Sequence, residues 1–139
     1  VIIVDTNIVL DIATADPVWS EWSISVLEAA DLEGGSRIND IIFAEICARY
    51  ETVEQAAGLM RLLALDILPM PRDALFLASK AFLRYRLAGG VRTGVLPDFF
   101  IGAQASVLNL ALATRDPARY RTYFPQLDII APPTAPTSD

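Results

Sequence analysis

The chain has 139 residues, 53% apolar and 20% charged, with no histidine and a single cysteine. That length and apolar content suit one packed domain rather than a disordered chain. Without histidine, Ser-His-Asp and Cys-His catalysis and imidazole-driven RNA cleavage are excluded. One thiol, Cys47, closes no internal disulfide and makes no zinc knuckle.

The net charge of −6 hides a segregation: residues 1–71 carry −9 and residues 72–121 carry +5. A basic face on an acidic protein is therefore expected, and all but one of its cations are arginines, which suit bidentate phosphate contacts. No apolar run approaches the roughly 20 residues of a spanning helix, and no charged segment precedes Val1. The expectation is a cytoplasmic protein with no membrane association.

In chain order, Val1–Val4 is a β-branched run that reads as a strand covered on both faces, ending at Asp5-Thr6-Asn7. Asp16-Pro17 reads as a helix start, with Trp19, Trp22, Val26, Leu27 and Ala30 at helical spacing until Gly34-Gly35. A short strand is expected at Arg37–Asn39. A helix capped by Asp40 follows, with Ile42, Ile46 and Tyr50 as its buried stripe. Residues 53–65 read as a helix with Leu59, Leu62 and Leu63 inward, and Ile67–Met70 as a short extended piece.

Arg72–Leu87 is helical by the spacing of Leu75, Ala78, Phe82 and Tyr85, and residues 89–94 form a loop. Pro97-Asp98 opens a helix to Asn109 in which Ile101, Ala105 and Leu108 face inward. Leu110–Thr114 is a strand, Arg115-Asp116-Pro117 a turn, and Leu127–Ile130 a last strand. Apolar strands alternating with helices predict a three-layer α/β/α sandwich around a mainly parallel sheet over residues 1–131, with residues 132–139 as a Pro-rich tail.

In such sheets ligands bind beyond the carboxyl ends of the strands. Asp5 follows the first strand, Asp116 follows the strand at 110–114, and Asp98 stands at a helix N-terminus whose dipole favours a carboxylate. Glu45 lies in a helix beside the apolar stripe, where a charge needs a partner. Each acid also has a plain structural role open to it. Asp5 fits an Asx-turn, Asp98 an N-cap, Glu45 a pair with Arg49, and Asp116 a turn. Taken together they predict an acidic pocket whose repulsion a divalent ion relieves. Oxygen-only donors favour Mg²⁺ or Mn²⁺ over zinc, and phosphodiester hydrolysis is the matching chemistry.

Val-Asp-Thr-Asn at 4–7, Ala44-Glu45-Ile46, Pro97-Asp98 and Ala113-Thr114-Arg115-Asp116 resemble, in order and spacing, the PIN-domain nucleases, and more narrowly the VapC-like toxins of bacterial toxin–antitoxin pairs. The resemblance implies divalent-metal-dependent endonucleolytic cleavage of RNA, a homodimer, and a cognate antitoxin that blocks the pocket with a basic residue. It makes Asp5 and Asp98 the primary metal ligands, with Glu45 and Asp116 completing the site directly or through water. Thr6, Asn7 and Thr114 become supporting polar residues, although turn and strand-end capping would use them equally. Arg84, Arg86, Arg92, Arg115, Arg119 and Arg121 are candidates for holding RNA phosphates, or else a solvated face. Tyr85, Phe99 and Tyr120 suit core packing or base stacking.

Two rival functions remain open at this level. One is a PIN-like binding module without turnover. The other is a phosphotransfer domain, which fits poorly: Asn7 stands where a second Asp is wanted, and the sole lysine, Lys80, falls within a helix.

Overall fold

The structure is a computed structural model describing residues 1–92 and 94–133. Residues 134–139 of the expected tail, and Thr93 of the expected loop, lie outside the described residues. Five strands form one sheet: β1 (Ile2–Val4), β2 (Ser36–Ile38), β3 (Asp66–Ile67), β4 (Ala111–Ala113) and β5 (Ile129–Ile130). Their order is β3-β2-β1-β4-β5 and every pairing is parallel. The helices are α1 (Thr6–Ala13), α2 (Ser20–Asp31), α3 (Asp40–Cys47), α4 (Val53–Leu62), α5 (Arg72–Leu87), α6 (Leu96–Leu108) and α7 (Ala118–Tyr123). The result is the expected α/β/α architecture, with the sheet parallel throughout the described residues. No helix among them is long and apolar enough to cross a membrane.

The strand order decides where a site can form. The chain leaves β1 for β2 on one side and returns to β4 on the other, so β1 and β4 flank a topological switch point. Crossover connections diverge there and leave a crevice at the carboxyl ends of the strands. The register pairs Val4 with Ala113, so Asp5 and Thr114 emerge side by side at that crevice. Ile3, Val4, Ile38, Leu112 and Ala113 are fully buried in the sheet, and Ile8, Ile42, Ile46, Phe99 and Ile101 cover it from the helices. A buried side chain of this size stabilises by about 1.5–3 kcal/mol.

α5 packs along α6 through Ala74, Ala78 and Ala81, all fully buried, whose small side chains allow the helices to approach closely. Around their far ends Phe82, Tyr85, Phe99, Tyr123 and Phe124 form an aromatic cluster, with the Phe99 and Tyr123 centroids 5.2 Å apart at 64°. This cluster clamps the short helix α7 onto α5 and α6, which fixes the residues α7 carries toward the crevice.

Several sequence expectations shift. Helix α1 was not anticipated, because Ile8, Val9 and Leu10 prolong the apolar run of β1 and obscure the change of period. α7 was not anticipated either, and directly follows the turn expected at Arg115-Asp116-Pro117. α2 begins at Ser20, not at Asp16-Pro17. Asp16 Oδ1 instead accepts from the Val18 and Trp19 amides and holds a separate turn before the helix. The positive φ of Gly34 (107°) and Gly35 (95°) does end the segment as expected. Asn39, not Asp40, caps α3, its Oδ1 accepting from the Ile42 amide at 2.8 Å. Leu62 is 80% exposed, while Ala56 and Met60 form the buried stripe of α4. Leu75 and Leu108 are likewise largely outside the core.

Candidate active site

An open cleft of about 890 Å³ lies at the switch point and is lined by Asp5, Glu45, Asp98 and Asp116 together. Thr6, Asn7, Asp11 and Tyr120 share its wall, and Arg49, Arg92, Arg115, Arg119 and Arg121 also border it.

Asp5 is the most enclosed of the four predicted acids, with 5% exposure. It N-caps α1, and its amide donates to the Ala113 carbonyl at 2.9 Å, so β1 and β4 hold its backbone. Its Oδ1 accepts from the Thr6 amide at 2.8 Å, and its Oδ2 from the hydroxyls of Thr114 and Tyr120, each at 2.9 Å. Burial, reinforced by the charge of Asp98, pushes its pKa up to about 6 despite these three donors.

Asp98 lies in the first turn of α6, three residues past the N-cap position of Val95, with Pro97 before it. It is therefore not an N-cap, though the helix dipole still favours its charge. Its Oδ2 accepts from Arg119 Nη1 at 2.6 Å and its Oδ1 lies 3.5 Å from the Tyr120 hydroxyl. Burial raises the Asp98 pKa and outweighs the opposing hydrogen bond and charge of Arg119. Tyr120, 1% exposed, thus touches both carboxylates, which keeps Asp5 and Asp98 close together on one face. The Tyr120 phenol is pushed well above its ordinary value by burial and by the neighbouring Asp5 and Asp98 charges, so it stays a proton donor.

Glu45 reaches the cleft from α3, where its Oε1 accepts from the Thr6 hydroxyl at 2.7 Å. Its partner is Thr6, and the pairing with Arg49 does not form. Asp116 is exposed at the mouth. Asn7 ties it to the strand end: Nδ2 donates to Thr114 Oγ1 at 3.3 Å and to Asp116 Oδ2 at 3.5 Å, and Oδ1 accepts from the Arg115 amide at 3.3 Å. Thr114 Oγ1 also accepts from the Asp116 amide at 3.1 Å. Thr6, Asn7 and Thr114 therefore bridge the acids rather than merely capping turns.

The arginines divide into three groups. Arg115 pairs with buried Asp11 at 2.9 Å and lies 5.7 Å from the Trp19 ring. Arg119 pairs with Asp98. Arg92 and Arg121 are exposed on the cleft. Arg84 and Arg86 lie outside the cleft lining, and Arg84 Nη2 donates to the Tyr123 carbonyl.

Two residues of the site escaped the sequence reading. Asp11 sits on the unanticipated helix α1, and its only signal was its spacing of four from Asn7, which puts the two on one helical face. Tyr120 was assigned to core or stacking. α7 begins at Ala118, two residues after Asp116, so no helical spacing along the chain linked Tyr120 to the acids.

Among the described residues, no three acidic or thiol side chains converge tightly enough to form a ready metal cage. Mg²⁺ seldom needs one, since it retains several waters and takes one or two carboxylates. The paired Asp5 and Asp98, with oxygen donors only, fit an ion of that kind.

Comparison with known proteins agrees with the fold. The chain superimposes on a chain of the VapBC2 complex from Rickettsia felis bound to a promoter DNA fragment, with a TM-score of 0.71, 18% identity, and 93% and 96% of the two chains covered. A chain of DNA-bound VapBC from Salmonella typhimurium gives 0.70 at 15% identity, covering 94% and 96%. One from a toxin–antitoxin complex of Klebsiella pneumoniae gives 0.69 at 20%, covering 97% and 100%. No curated protein matches the chain by sequence. The PIN-domain model matches residues 2–125, nearly the whole of the folded chain, and this protein therefore belongs to the PIN-domain family.

Proposed function

We propose that this chain is a divalent-metal-dependent endoribonuclease that serves as the toxin of a toxin–antitoxin pair. One observation carries the reading: four carboxylates, two from the ends of β1 and β4 and two from helices α3 and α6, line a single cleft at the sheet's switch point. Like charges at about 4 Å repel by roughly 4 kcal/mol at a protein-like effective dielectric, so such a cluster favours a hard cation. PIN domains are generally nucleases, which supports hydrolysis over mere binding.

In this reading Asp5 and Asp98 hold Mg²⁺ or Mn²⁺, and Glu45 and Asp116 complete the site directly or through water. When bound, such an ion polarises a phosphoryl oxygen and lowers the pKa of water. The chain's own residues prepare the site. Thr114, Tyr120 and the Thr6 amide fix both oxygens of Asp5, so its carboxylate cannot rotate away. Thr6 holds one oxygen of Glu45 and leaves the other free toward the cleft, where it can accept a proton or orient water. Arg92 and Arg121 on the rim receive backbone phosphates that the acids would repel. The partner is a cognate antitoxin, an assignment supported by the fold shared with chains of VapBC and toxin–antitoxin complexes, and the working unit is a homodimer.

The test is cleavage of single-stranded RNA by the purified protein with Mn²⁺ and with chelator. Asp5→Asn and Asp98→Asn should each abolish metal-dependent cleavage. Mn²⁺ should also raise the melting temperature of the parent protein, about 2.7 kcal/mol of stabilisation at a hundred times the dissociation constant. Undiminished cleavage by the double variant refutes the assignment.

A further inference from the structure

We propose that Arg119 is a built-in substitute cation: it neutralises Asp98 until a divalent ion enters, and then turns to a phosphate of the RNA. The proposal rests on the nuclease reading above.

Two ion pairs occur among the described residues, and they are built differently. The Arg115–Asp11 pair has an enclosed carboxylate. Its carboxylate side chain is 4% exposed, also lies within reach of the Ser23 hydroxyl, and its guanidinium lies against Trp19. Arg119–Asp98 is shorter, at 2.6 Å, but both side chains are partly open to solvent, 27% and 32% exposed. It can separate without drawing any group out of the core. The residue after Arg119 is Tyr120, fully enclosed and bonded to Asp5. One short helix thus brings a fixed neutral donor to one acid and a releasable cation to the other.

A guanidinium against Asp98 Oδ2 and a divalent ion at the same carboxylate compete, because both draw on its one negative charge and their own charges repel. The freed side chain has a destination. Arg119 lines the same cleft as Arg92 and Arg121, where a third guanidinium extends a track for a phosphodiester backbone. The competing arrangement is a permanent one, in which Arg119 stays on Oδ2 and orients Asp98 while the ion takes Oδ1. The two arrangements differ in sign. Removing a competitor tightens metal binding, whereas removing an orienting partner weakens it, typically by about 10- to 100-fold.

The experiment measures Mn²⁺ affinity of the full chain from the electron paramagnetic resonance signal of free ion, for the parent, Arg119→Ala, Arg119→Lys and Asp98→Asn. It also measures kcat and KM for RNA at saturating Mn²⁺. Arg119→Ala should bind Mn²⁺ about two- to fivefold more tightly, the scale of a partly exposed ion pair, and should show a raised KM. Arg119→Lys should lie between it and the parent on both measures. Unchanged or weaker Mn²⁺ binding by Arg119→Ala overturns the competition. Tighter binding with an unchanged KM overturns the transfer to phosphate. Mn²⁺ binding that Asp98→Asn leaves intact overturns the metal-site reading itself, an outcome distinct from a failure of Arg119.

Discussion

Tyr120 donates its hydroxyl to Asp5 Oδ2 at 2.9 Å, joining residues 115 positions apart in the chain and pinning helix α7 to the end of β1. The same hydroxyl lies 3.5 Å from Asp98 Oδ1. One buried phenol therefore sets the spacing between two acids that would otherwise repel.

Tyr120→Phe should fold with almost unchanged packing, since only the hydroxyl is lost. Asp5 would keep the Thr6 and Thr114 donors and lose the third. The expected cost is about 1.5–3 kcal/mol, the range for a hydrogen bond to a charged group. Urea denaturation at neutral pH checks it, and a loss below a few tenths would show that the contact does not stabilise the fold.

Asp5 makes stability depend on pH in an unusual direction. Its folded pKa of about 6 lies above its unfolded value near 3.8, so the folded state binds the proton more tightly. The resulting stabilisation is complete below pH about 3.8 and is lost as pH rises through about 6. At 1.36 kcal/mol per unit, the whole effect is on the order of 3 kcal/mol without metal. Asp5→Asn should remove most of this loss, leaving a variant more stable than the parent at pH 7.5 in chelator and little different at pH 4. Parallel stability curves for the two proteins across that window would exclude the effect. Asp98, whose pKa is also raised, adds to the trend with the same sign in both proteins.

The Asp11–Arg115 pair should be worth less than a fully enclosed one, because Arg115 is 30% exposed and can turn to water. Asp11→Ala should destabilise by about 1–2 kcal/mol, and a double-mutant cycle with Arg115→Ala should return a coupling of about 1 kcal/mol. The pair ties the turn before α7 to helix α1. Strict additivity would show that the pair contributes no coupling to stability.

Gly102 lies where α6 meets two aromatic rings. A Cβ added there would stand 2.5 Å from Phe124 Cε2 and 3.0 Å from Tyr120 Cδ1. Alanine gains up to about 1 kcal/mol in helix propensity, but overpacking costs about 1–3 kcal/mol. The net should be destabilising, and displacement of Tyr120 should weaken Mn²⁺ binding as well. A thermal melt and a metal titration of Gly102→Ala test both, and a variant more stable than the parent would contradict the packing.

Much of this protein was readable along the chain. The β-branched run of β1, the helical spacing in α5, and Pro97-Asp98 opening α6 are local signals, because burial on one side of an element imposes its own period. The alternation of these elements also implied the parallel sheet, whose crevice receives Asp5 and Asp116 by chain connectivity. Other features had no local signature. An apolar run after a strand is as compatible with α1 as with a longer strand, and six residues of α7 are too few to display a period. Packing decided the pairing of Arg119 with Asp98, of Arg115 with Asp11, and of Tyr120 with Asp5. Each joins residues between 21 and 115 positions apart, and a contact at such separation depends on how helices dock rather than on any propensity of the residues making it.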